Sequence, residues 1–149
     1  MLNKLKPFSA WIGEWTGKGE TLKGVPVTTR MVIRPRLADA VLEFEIQSQH
    51  AETGALVHGV IGLSAVDPDG ELRMAVSSTI HGSIIMRHTP EDPDAGAIEG
   101  VNVMGNRVVV SLVEQDGGLM LTSYWKKELP ADAEPIGYTN LMLKRVVRA

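Results

Sequence analysis

Apolar and polar residues exchange every second position along most of this chain. Leu42, Phe44, Ile46 and Ser48 oppose Glu43, Glu45, Gln47 and Gln49, and Val27, Thr29, Met31 and Ile33 oppose Thr28, Arg30, Val32 and Arg34. Leu72, Met74, Val76 and Ser78 form another such face, as do Leu119, Leu121, Ser123 and Trp125. A period of two places each set on one side of a β-strand. Turn residues separate the runs: Lys23-Gly24, Glu52-Thr53-Gly54, Asp67-Pro68-Asp69-Gly70, Met104-Gly105-Asn106 and Asp116-Gly117-Gly118. Glycine accepts positive φ and proline presets a turn dihedral. Two looser loops span residues 89–96 and 129–135. The pattern predicts about ten strands, packed too closely in sequence for the crossovers that parallel pairing requires. An all-β, antiparallel, hairpin-connected sheet follows, and both a closed barrel and a sandwich satisfy it. No repeat or linker divides the chain, so residues 1–149 are read as one domain.

Composition narrows the function classes. Apolar residues make up 44% and charged residues 22%, enough to bury a core. The net charge is −3, and the basic residues near the end, Lys144, Arg145 and Arg148, are too few for a nucleic-acid footprint. The absence of cysteine removes disulfides, thiolate nucleophiles and Cys-ligated metals. No run approaches the roughly 18 apolar residues of a membrane span. The opening Met1-Leu2-Asn3-Lys4-Leu5-Lys6-Pro7 has no apolar run after its lysines, so no signal peptide is expected and the predicted location is cytoplasmic.

Helix signals are confined to residues 7–12, where Pro7 suits a first helical position and Gly13 a stop. Phe8, Trp11 and Ile12 would form the buried side of this short helix. The strand that follows opens Gly13-Glu14-Trp15, and the last strand closes Leu143-Lys144-Arg145-Val146. Together these resemble the lipocalin and fatty-acid-binding-protein (calycin) superfamily, in which a Trp of a Gly-x-Trp motif packs on an Arg of the final strand. The resemblance implies an up-and-down barrel whose end is sealed by Trp15 and Arg145, a guanidinium stacked on an indole. Residues 11–20, Leu56-Val57-His58-Gly59-Val60-Ile61-Gly62 and Asp69-Gly70-Glu71-Leu72 are similar to the nitrobindin branch, intracellular ten-stranded barrels that bind haem. That branch holds iron through a last-strand His. Here the strand carries Tyr138 and no His, so the haem expectation passes to Tyr138, a residue type that ligates haem iron in other folds.

A barrel of about eight to ten strands holds one small ligand. His58, on the mixed face Leu56, His58, Val60, Gly62 and Ser64, is the first candidate to meet such a ligand. Met74 and Met86 suit an irregular apolar wall. His88 and Tyr138 complete the candidate ligand-binding set. The opposite face of residues 56–65 is apolar too, which predicts burial on both sides, under the helix or in a homodimer contact. No histidine spacing resembles a metal site. Gly17-Lys18-Gly19 lacks the helix of a phosphate cradle, Asp67-Pro68-Asp69-Gly70 lacks the ligands of a calcium loop, and no nucleophile elbow is present. The expected function is binding of a small hydrophobic or amphipathic molecule. Haem binding is one alternative, and catalysis with His58 or His88 as general base is another.

Overall fold

In a computed structural model, residues 2–21, 23–88 and 95–148 are described. Ten strands follow one another: β1 Gly13–Glu20, β2 Pro26–Arg36, β3 Val41–His50, β4 Leu56–Val66, β5 Leu72–Ser78, β6 Gly82–His88, β7 Gly96–Val101, β8 Asn106–Gln115, β9 Gly118–Lys127 and β10 Gly137–Arg145. Each pairs antiparallel with its sequence neighbour, and β10 returns to β1, so the sheet is a closed up-and-down barrel. Closure leaves no free sheet edge.

The turns form where their residues allow. The β8–β9 hairpin has a two-residue loop, Asp116-Gly117, with φ of 50° and 76°. Two positive φ values twist the loop as the flanking strands require. The β2–β3 turn is different: Leu37, Ala38 and Asp39 all have positive φ without a glycine among them. Ten residue pairs join β2 to β3 on one side of this turn and hold it.

The helix predicted over residues 7–12 is present as a 3₁₀ turn, Phe8–Trp11, and a second, unpredicted 3₁₀ turn precedes it at Leu2–Leu5. Four residues are too few for a stable α-helix, and the i→i+3 bond from Ala10 N–H to Pro7 O (3.1 Å) takes its place. These turns plug one end of the barrel. Leu5, Phe8 and Trp11 are buried there with Trp15, Met31, Ile33, Leu42, Leu119 and Leu143. Phe8 meets Phe44 and Trp11 edge to face, with centroids 5.2 and 5.9 Å away. Gly96 makes room for the plug, because a Cβ there would stand 2.6 Å from both Phe8 and Trp11. Gly17 does the same for closure: a Cβ would stand 2.3 Å from the Met142 carbonyl. Outside this end Arg145 Cζ lies 4.3 Å from the Trp15 ring centroid, and its Nη1 donates to Ile12 O at 2.8 Å.

One expectation is corrected. The strand at residues 56–65 is not buried on both sides. Ile61 and Leu63 are 57% and 48% exposed, because the plug enters the barrel end and does not cover its wall. Leu63 lies level with Ala75, and Ala75 with Ile85, so this outward row is apolar across three strands.

Ser64, on the inner face of β4, is fully buried, and its Oγ has no hydrogen-bond partner. An unpaired buried hydroxyl costs about 1–3 kcal/mol. Ser64→Ala is therefore expected to raise the unfolding free energy by about 1 kcal/mol in urea titration. A loss of stability would mean that the hydroxyl is satisfied.

Candidate functional site

The inner face is filled only in part. Beyond Phe8 and Phe44, the other half of the barrel encloses a cavity of about 570 Å³. Its walls are apolar, with Val60, Val76, Ile84, Ile98, Val110 and Leu121 among them. Polar groups gather toward the mouth, where β1 ends and β4 begins. Ser48, His58, His81, Ser123, Trp125 and Thr139 line that region. Glu20 and Lys23 are the charged side chains among the described lining, one of each sign.

Of the residues singled out in the sequence, the structure brings three together here. Met74 and Met86 are directly opposite each other on β5 and β6, both buried and both lining the cavity. His58 enters from β4. His88 lies elsewhere, at the plugged end, where its ring meets Phe8 edge to face and Nε2 lies 3.3 Å from Ala95 O. Tyr138 pairs with Tyr124 in β10, and its side chain lies outside the described residues. Trp15 and Arg145 lie at the closed end and do not line the cavity.

Sequence reasoning passed over the partners of His58. His81, in the β5–β6 turn, is 7% exposed. Its ring lies edge to face with His58 (6.3 Å) and with Trp125 (5.0 Å). Behind each histidine stands a polar group already engaged with backbone. Ser78 Oγ accepts from the N–H groups of Ile80 and His81 at 3.2 and 3.1 Å, which occupies its lone pairs. Its proton is left for His58 Nε2, 2.9 Å away. Asn102 Oδ1 accepts from Met104 and Asn106 N–H, both at 3.0 Å, which orients the amide. Its Nδ2 then donates to His81 Nδ1 at 3.3 Å. Neutral His58 therefore carries its proton on Nδ1, and neutral His81 on Nε2. A signal for this arrangement exists in the chain: Asn102 precedes the Met104-Gly105 turn, and Ser78 sits three residues before His81.

Burial keeps both rings neutral. Desolvation first, and then the charge of His81, lower His58 from 6.5 to about 4. Desolvation also lowers His81.

Haem, implied by the family resemblance, does not fit these histidines. A metal-ligating imidazole presents a lone pair and donates its other N–H to an acceptor. Here the polarity is reversed: each ring accepts from Ser78 or Asn102, and the remaining nitrogen carries the proton. No group of three or more His, Asp or Glu side chains among the described residues is arranged to hold a metal ion. No helix among them is long and apolar enough to cross a membrane.

Comparison with protein-family models and with curated proteins returned no match. The closed ten-stranded antiparallel barrel is compatible with a calycin-like fold.

Proposed function

We propose that the protein binds a small hydrophobic or amphipathic molecule inside the barrel. The observation that carries this reading is an apolar cavity of about 570 Å³ left open in the half of the barrel that the plug does not reach. Concave apolar sites with a few convergent polar groups are the usual form of small-molecule sites. Placement among the calycins is supported by Gly13-Glu14-Trp15 and Arg145 and by the stacking between Trp15 and Arg145, and placement beside the nitrobindin branch by the likeness of residues 11–20, 56–62, 69–72 and 143–146.

Titration with the neutral fluorophore N-phenyl-1-naphthylamine tests the reading. Saturable binding of one molecule per chain is expected. Val76→Trp, on an inner wall, should weaken it by about tenfold or more while the chain remains folded. Val110→Phe fills another wall and guards against misfolding of the first variant. Absence of saturable binding by the unaltered protein would end the proposal.

A further inference from the structure

We propose that the occupant of this cavity carries a neutral oxygen acceptor, a ketone, ester or amide carbonyl, held by ring N–H groups of His58 and His81. The inference rests on the binding reading above and names the chemistry of the ligand's polar end.

Three side chains that line the cavity carry a ring N–H group without an acceptor. His58 Nδ1 and His81 Nε2 carry protons once Ser78 and Asn102 have taken the other nitrogens. Neither has a hydrogen-bond partner, and Ser64 Oγ is the only partnerless side-chain polar atom sealed from solvent among the described residues. Both histidine nitrogens are therefore reachable, and both side chains line the cavity. Trp125 adds Nε1, also partnerless, from an indole whose benzo edge packs over Gly137. A Cβ at Gly137 would stand 2.1 Å from that edge, so the glycine keeps the indole beside His81.

Donors without acceptors select a ligand that accepts. The charge balance selects a neutral one. His58, His81, Glu20, Lys23 and Tyr124 are the titratable groups among the described lining, and Glu20 and Lys23 offset each other at the mouth. A carboxylate would be buried there without a dedicated cation, unless it drew a proton onto a ring that burial keeps neutral. A carbonyl oxygen accepts two N–H groups through its two lone pairs without bringing in charge.

Three ligands of one shape decide the matter by calorimetry at pH 7.5: 2-ethylnaphthalene, 2-acetylnaphthalene and 2-naphthoate. The ketone is expected to bind about tenfold or more tightly than the hydrocarbon, because a site built to donate rejects a ligand that cannot accept. His81→Leu and His58→Leu should each shrink that preference by several-fold while the hydrocarbon still binds. Equal affinity for ketone and hydrocarbon in the unaltered protein overturns the carbonyl proposal and leaves the binding reading standing. Tightest binding of the naphthoate overturns it in favour of an anion site. Failure of all three, the hydrocarbon included, counts against the cavity as a binding site. Nitrogen-15 correlation spectra give a readout independent of any variant: His58 should show the Nδ1–H form and His81 the Nε2–H form, and reversed tautomers would overturn the donor assignment.

Discussion

Phe8→Ala is expected to lower the unfolding free energy by about 3–5 kcal/mol, the range for emptying a buried aromatic site. Phe8 is 2% exposed and joins the 3₁₀ plug to the wall through Phe44 and to the plug's own Trp11. It also forms the boundary of the cavity. Removing its ring would join new empty space to a hollow that is already present, so the walls have little reason to collapse inward. Calorimetry should show a fall of about 10 °C in Tm for a domain of this size. Phe8→Leu should recover much of that loss, because it keeps most of the apolar volume. A change below about 1 kcal/mol for Phe8→Ala would show that the plug contributes little to the barrel.

Acid should destabilise the protein before its carboxylates titrate. His58 ionises near 6.5 when unfolded and near 4 when folded, so between these values the unfolded chain binds more protons. Stability then falls as pH falls through that window, by about 2 kcal/mol between pH 7.5 and 5. His81, lowered by the same cause, adds to the loss in the same direction. Glu14, Glu45 and Asp69 are held below their ordinary values of 4.5, 4.5 and 3.8 by Arg30 with Arg148, by Arg34, and by Arg73 respectively. Their stabilising contributions are lost only at lower pH, which leaves the range from 6.5 to 4.5 to the imidazoles. Urea titrations at half-unit steps should give a slope there that is reduced in His58→Gln. A flat profile from pH 7.5 to 5 in the unaltered protein would contradict a buried neutral pair.

The strands were legible because their signal is local. Alternation in Val27, Thr29, Met31 and Ile33 and in Leu42 and Phe44 marked the inner face, and these residues are buried. Asp116-Gly117 announced its hairpin through the φ values it permits. The β2–β3 turn announced nothing, since Leu37, Ala38 and Asp39 enter left-handed backbone under the constraint of the paired strands they join. The outward row of Ile61 and Leu63 misled in the other direction. An apolar residue states what it can tolerate, and whether something covers it is settled elsewhere in the molecule.

The candidate site divides in the same way. Met74 was readable as an inward position from period two, His58 from the mixed face of its strand, and Met86 only from the adaptability of its side chain. His88 has the same residue type as His58 and a comparable strand setting, yet lies at the plugged end, because β6 runs from the mouth toward the plug. His81 and Asn102, separated by 21 residues, meet only through the β5–β6 and β7–β8 turns.

The order of residues by itself determined an antiparallel all-β chain of about ten strands and which side chains turn inward, since both depend on dihedral preference and on neighbours two positions apart. The likeness carried by Trp15 and Arg145 already implied that β10 closes on β1, and the barrel is closed; tertiary structure alone decided that the inner face is packed at one end and hollow at the other, and that two histidines share the hollow. Those outcomes depend on how far an N-terminal plug penetrates and on pairings across the whole chain. Spacing along a single strand contains neither distance.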